Sequence, residues 1–187
     1  MADWEKSDKM GPPPHLVKRE IVKEYGRKFN LDTLVETGTY TGEMILAAKN
    51  YFKDIFSIEL SDELCFETKK KFRGFSNVHI VCGDSAKVLP DILKSIKRPC
   101  LFWLDAHYSG GITKKGSVET PIVEELKAIF NHYVEGSVIL IDDARCFRGE
   151  NDYPTLKWMR DYVLSRRPFL DFTVENDIIR IYSPKKK

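Results

Sequence analysis

Leu34-Val35-Glu36-Thr37-Gly38-Thr39-Tyr40-Thr41-Gly42 is the stretch on which the reading of this chain turns. It is a short apolar run that enters a small-residue turn, and a helix is predicted just beyond it, over 44–52. Gly38 and Gly42 carry no Cβ, so the backbone between them can turn tightly and come close to a ligand. The first turn of the next helix offers unpaired N–H groups that suit a carboxylate or a phosphate. Glu36 closes the strand and projects into the same space. In an open α/β sheet, ligands bind at the carboxyl ends of the strands, so this turn is the first candidate for a binding crevice.

On either side of that turn the pattern is regular. Upstream, a helix is predicted over 15–29, with Leu16, Ile21, Val22 and Tyr25 as packing residues, behind an N-terminal arm (1–14) that ends in Gly11-Pro12-Pro13-Pro14. Downstream, apolar strands at 55–59, 78–82, 100–105 and 137–141 alternate with helices predicted to about residue 72, over 86–96, over 120–132 and over 154–165. Two closing strands, 169–175 and 178–182, flank Asn176-Asp177 and read as a hairpin. Strands alternating with helices mean βαβ units and a parallel sheet, and right-handed crossovers put helices on both faces. The expected fold is therefore α/β and doubly wound: a mostly parallel sheet of about seven strands with a C-terminal antiparallel hairpin, formed by one domain over 15–187.

Composition narrows the function classes. The 187 residues suffice for a sizeable core. Thirty basic against 28 acidic residues leave a net charge of +2, which makes no strong electrostatic case for a nucleic-acid partner. Cys65, Cys82, Cys100 and Cys146 form no CxxC pair and read as buried free thiols, which implies a reducing compartment. The first residues are charged (Asp3, Glu5, Lys6, Asp8, Lys9), and no apolar run approaches the ~18–20 residues of a membrane span. A cytoplasmic protein with no membrane contact is the expectation. The N-terminal arm is a candidate contact with a second copy of the chain, and Lys185-Lys186-Lys187 reads as a solvated end.

Each of the first five strands ends in an acid or meets one at once: Glu36, Glu59, Asp84, Asp105 and the pair Asp142-Asp143. In a doubly wound sheet those ends share one edge, and several carboxylates side by side are costly unless cations or hydrogen-bond donors lie between them. A polyhydroxyl cofactor and a metal ion would meet that need. Glu59 lies about 20 residues past the glycine turn, where an acid commonly takes ribose hydroxyls. Asp84 and Ser85 suit the amine and neighbouring ring nitrogen of an adenine, or else cap the next helix.

The run Glu36 to Gly42, with Glu59, Gly83-Asp84-Ser85, Leu104-Asp105 and the terminal hairpin, resembles the class I S-adenosylmethionine-dependent methyltransferases over about 30–183. Within them it is similar to the metal-dependent O-methyltransferases of macrolide sugars and to cephalosporin-hydroxylase-like proteins. Catechol and caffeoyl-CoA O-methyltransferases have Asp-Asn where Asp142-Asp143 stand here. The resemblance implies a Rossmann-like sheet with Gly38 and Gly42 bracketing the methionine part of the cofactor, and with Thr39, Tyr40 and Asp105 among the residues that bind it. It further implies Glu36 at the cofactor amine, Glu59 at the ribose, and Asp84 with Ser85 at the adenine. A dinucleotide fingerprint wants a third glycine for the pyrophosphate, which S-adenosylmethionine lacks.

Asp105, Asp142 and Asp143 offer three hard oxygen ligands, which suit Mg²⁺. The ion would lower the pKa of a chelated hydroxyl and hold it in line with the methyl group. His107, two residues past Asp105, is the candidate general base. The metal-dependent catechol-type enzymes place a Lys near this position, where this chain has Tyr108 and Ser109. The loop from 109 to 117, with Gly110-Gly111 and Lys114-Lys115, reads as a lid, and the stretch from Arg145 to Gly149 as a contact for an anionic group. The expected activity is Mg²⁺-assisted O-methylation of a small hydroxylated molecule. The alternatives are a nicotinamide-dependent oxidoreductase on the same fold, and a cofactor-binding scaffold without catalysis.

Overall fold

The structure is a computed structural model that describes residues 13–107 and 118–184. Its elements are α1 (His15–Phe29), β1 (Thr33–Thr37), α2 (Glu43–Ala48), β2 (Asp54–Glu59), α3 (Asp62–Lys71), β3 (Val78–Cys82) and α4 (Ser85–Ser95). They are followed by β4 (Leu101–Leu104), α5 (Ile122–Asn131), β5 (Val138–Ile141), a 3-10 turn (Ala144–Cys146), α6 (Leu156–Arg166), β6 (Asp171–Glu175) and β7 (Ile178–Tyr182). The strands form one sheet in the order β3-β2-β1-β4-β5-β7-β6. The first five strands are parallel, and β7 runs antiparallel between β5 and β6. This is the sheet the sequence predicts, hairpin included.

Alternation along the strands builds two cores. Val35, Phe102, Leu104, Ile139 and Ile141 pack with Leu89 of α4, Leu126 of α5 and Met159 of α6. Leu34, Leu101, Trp103, Val138 and Leu140 pack with Val22 of α1 and Ile45 of α2. Successive side chains of a strand point to opposite faces, so each layer of helices covers one parity. Both faces of β4 and β5 are buried throughout, which is why these strands are continuous apolar runs.

Three expectations are revised. α2 is six residues long and ends at Ala48, because Lys49 to Phe52 turn back toward β2. Cys65 and Cys82 are not free thiols. They form a disulfide that ties α3 to β3, with Cα atoms 5.6 Å apart. The crossover from α3 back into the sheet brings together residues separated by 17 positions, so no local motif announces the pair. The premise for a reducing compartment falls with it, although Cys100 and Cys146 are free. Among the described residues no helix is long and apolar enough to cross a membrane. The predicted arm, lid and lysine tail lie mostly or wholly outside the described residues.

Candidate active site at the carboxyl edge of the sheet

Parity decides where the acids go. Glu36 follows Leu34 by two positions and Glu59 follows Ile55 by four, so both point to the face that α1 and α2 cover. Glu36 is 2% exposed and accepts a hydrogen bond from Ser57 Oγ, which in turn lies 2.6 Å from Thr39 Oγ1. Burial pushes the Glu36 carboxyl up to about 8; the Ser57 hydroxyl opposes this, and the nearby Asp105 and Glu59 charges add to it.

Glu59 organises the glycine turn. Its Oε2 accepts the Tyr40 N–H at 2.8 Å and its Oε1 the Ser61 N–H at 2.8 Å. Each carboxylate oxygen keeps a second lone pair for a ligand. Tyr40 lies in the left-handed region (φ 49°) with its side chain half exposed. Gly38 is required by close approach: at φ 85°, a Cβ there would sit 2.4 Å from the carbonyl oxygen of Asp105. The ends of β1 and β4 therefore touch through backbone. A Cβ on Gly42 (φ 76°) would meet the Phe72 ring at 2.5 Å, so this glycine closes the turn against the end of α3. With α2 only six residues long, its N-terminus gives the turn little of the field expected of a full helix.

Asp84 caps α4, its Oδ1 accepting the Ala86 N–H at 3.1 Å, with Lys87 Nζ 3.1 Å from Oδ2. Ser85 beside it is buried. The capping role is thus realised, at the same edge as Glu59.

Beyond β4 and β5 the acids meet cations from three directions. The N–H groups of Asp105 and Asp142 continue the ladders, bonding to Thr37 O and Leu104 O at 3.0 Å each. Lys18 Nζ makes a direct ion pair with Asp142 Oδ2 and stands 3.9 Å from Asp143 Oδ1. His107 bridges two acids, with Nδ1 3.2 Å from Asp105 Oδ1 and Nε2 3.1 Å from Asp143 Oδ2. Arg145 Nη1 lies 2.7 Å from Asp143 Oδ1 and also pairs with Asp177, so the arginine read as an anion contact is already held by two carboxylates. Asp143 reaches both partners from a left-handed conformation (φ 56°).

Burial pulls the Lys18 ammonium down, but Asp142, Asp105 and Asp143 outweigh it and hold the group above its ordinary value. His107 behaves alike: burial lowers it, and the Asp105 contact followed by the Asp143 and Asp142 charges raises it overall. Burial and Asp105 push Asp142 up against the pull of Lys18.

One oxygen or nitrogen each from Asp105, His107 and Asp143 lies within 4.8 Å of the others, a group able to hold a metal ion. Asp142, read from the sequence as the third ligand, stands outside this group and is engaged by Lys18. Two carboxylates and an imidazole are a sound donor set, provided His107 gives up its proton.

A pocket opens beside this cluster, lined among others by Asp105, His107, Glu125, Asp142, Phe147 and Tyr153. Sequence reasoning passed over both Lys18 and Glu125. The signal was present. Lys18 shares a helix face with Ile21, Val22 and Tyr25, and Glu125 sits on the stripe of Ile122, Leu126 and Ile129, each a charge inside an apolar face.

No protein-family model and no curated protein matches the sequence. Solved structures do match its fold. The SAH-bound methyltransferase PaMTH1 of Podospora anserina superposes with a TM-score of 0.62 at 18% identity, over 96% of this chain and 82% of that one. The O-methyltransferase TomG of Streptomyces achromogenes, in complex with SAM, gives 0.66 at 14% identity, over 97% and 86%. An rRNA methylase of Streptococcus thermophilus gives 0.57 at 12% identity, over 94% and 99%. The chain has the fold of the class I S-adenosylmethionine-dependent methyltransferases.

Proposed function

We propose that this protein transfers a methyl group from S-adenosylmethionine to a hydroxyl of a small molecule. The observation that carries the reading is the placement of buried Glu36, Glu59 and the turn from Gly38 to Gly42 at one edge of this sheet. Glu36 is a buried acid that accepts a hydrogen bond from Ser57, and a cofactor ammonium would supply the opposite charge it lacks. Glu59, fixed by two backbone N–H groups, has lone pairs left for the ribose hydroxyls. In this reading Asp84 and Ser85 contact the adenine edge, Gly38 and Gly42 bracket the methionine part, and Thr39, Tyr40 and Asp105 complete the cofactor contacts. Bound S-adenosylmethionine supplies an electrophilic methyl group on its sulfonium.

His107 is the candidate base. A proton taken at either ring nitrogen is stabilised by Asp105 or Asp143 across about 3 Å. Mg²⁺ is the expected metal, with Asp105 and Asp143 as its oxygen donors and His107 kept as the base rather than as a ligand. Protonated His107 would compete with it for the same carboxylates. The net charge of +2 adds no pull toward nucleic acid.

The test is formation of S-adenosylhomocysteine with a panel of hydroxylated acceptors, with Mg²⁺ and with a chelator. Turnover that Asp105→Asn abolishes supports the transfer, and loss on chelation that Mg²⁺ restores supports the metal-assisted form. Cofactor binding without product from any acceptor would favour the scaffold reading.

A further inference from the structure

Glu125, near the start of α5, is 1% exposed and lines the pocket beside Asp105, His107 and Asp142. Its Oε1 is enclosed and has no hydrogen-bond partner. The same holds for Asp142 Oδ1, contributed by a different element, while the Thr37 hydroxyl, likewise unpaired, lies close enough to lower the Glu125 carboxyl. An enclosed acceptor without a donor costs about 1–3 kcal/mol, and more if it is charged. The other edge acids do not carry this cost. Glu36 has Ser57, Glu59 has two backbone N–H groups, and Asp105 and Asp143 share His107. Two acids that line the pocket thus each keep one oxygen without a hydrogen-bond partner. Asp105, Glu125 and Asp142 line the pocket with His107, Lys18 pairing with Asp142 there, while Phe147 and Tyr153 give it aromatic walls.

We infer that this pocket takes its acceptor through a protonated amine set against Glu125 and Asp142, which makes the substrate an amino-hydroxy compound. The inference rests on the methyl-transfer reading only for which end of that compound reacts. An ammonium carries three donors and a positive charge, enough for both orphan oxygens, whereas a hydroxyl offers one donor and no charge. Lys18 serves only Oδ2 of Asp142, so its Oδ1 remains open. Burial pushes the Glu125 carboxyl up to about 7, with the Ser85 and Thr37 hydroxyls drawing it down and Asp84 and Asp105 adding to it. An arriving cation would favour the ionised form of Glu125.

The experiment compares matched probes: dopamine with 4-ethylcatechol, and tyramine with 4-ethylphenol. Each is titrated calorimetrically at about pH 8, where Glu125 ionises, into wild type and Glu125→Gln with S-adenosylhomocysteine present. In at least one pair the amine should bind about tenfold tighter or better to wild type, and Glu125→Gln should erase that preference. Glutamine preserves volume, and thermal unfolding of the variant checks its fold. No amine preference in either pair, or a preference that Glu125→Gln leaves intact, would overturn the inference. S-adenosylmethionine is titrated into the same preparation. Cofactor binding without amine preference sinks only this inference, and amine preference without cofactor binding removes only the methyl-transfer reading.

Discussion

Lys18, on the buried face of α1, pairs with Asp142 at the end of β5, 124 residues further along the chain. Their side chains are 11% and 1% exposed, so neither charge is compensated by bulk water. The contact links α1 to the acidic edge and sets the charge there.

Removing one partner strands the other. Lys18→Met should destabilise the protein by roughly 3 kcal/mol near neutral pH, because Asp142 is left beside Asp105 and Asp143. The double variant Lys18→Met/Asp142→Leu should recover most of this, since an apolar pair avoids the desolvation. Urea unfolding of both measures it. Equal losses would mean that an unpaired Asp142 charge is not the source of the cost.

The two glycines of the turn should respond differently to alanine. Gly38→Ala puts a Cβ against the backbone of Asp105, which cannot yield without parting β1 from β4. Gly42→Ala meets the edge of the Phe72 ring, so Phe72→Leu should partly rescue it. We expect Gly38→Ala to cost about 2–4 kcal/mol with no second-site rescue at Phe72. Thermal unfolding of the four variants decides it, and rescue of both by Phe72→Leu would refute the distinction.

Glu36 carries a pH signature. Its folded pKa is raised to about 8 from 4.5, so the folded state holds a proton that the unfolded state has released between those values. Its favourable contribution is complete below about 4.5 and is lost as pH rises through about 8. Glu36→Gln should remove that slope and stabilise the protein above about pH 8, by roughly 1–3 kcal/mol, while weakening cofactor binding. Chemical denaturation from about pH 5 to 9 tests this, and parallel profiles for the two proteins would contradict it.

The bond between Cys65 and Cys82 spans 17 positions next to Glu59 and Asp84. Reduction, or a double change to Ser, should cost about 3 kcal/mol by freeing the unfolded chain. Unfolding with and without a dithiol reads it, and a null effect would mean that α3 is held fully by its packing.

What the sequence made legible follows from short-range physics. Apolar runs such as Leu101 to Leu104 reveal buried parallel strands, and the turn chemistry at Asn176-Asp177 reveals the hairpin, since both signals are local. The acids were found because each follows its strand directly. Their partners were not, because Lys18, Glu125 and the Cys65–Cys82 pair act through contacts that only the crossovers create. A charged residue on an apolar stripe was the available cue for the first two. The early end of α2 is set by the return of Lys53 and Asp54, whose N–H groups bond to Asp32 O, a tertiary constraint invisible in the run itself.

Calorimetric titration of S-adenosylmethionine, with NAD as the comparison, is the most direct test of the carboxyl-edge site. Roughly micromolar binding of S-adenosylmethionine, lost in Glu36→Gln and in Glu59→Ala, with no heat from NAD, is the expected result. Binding of NAD in its place, or of neither, would contradict the methyltransferase reading.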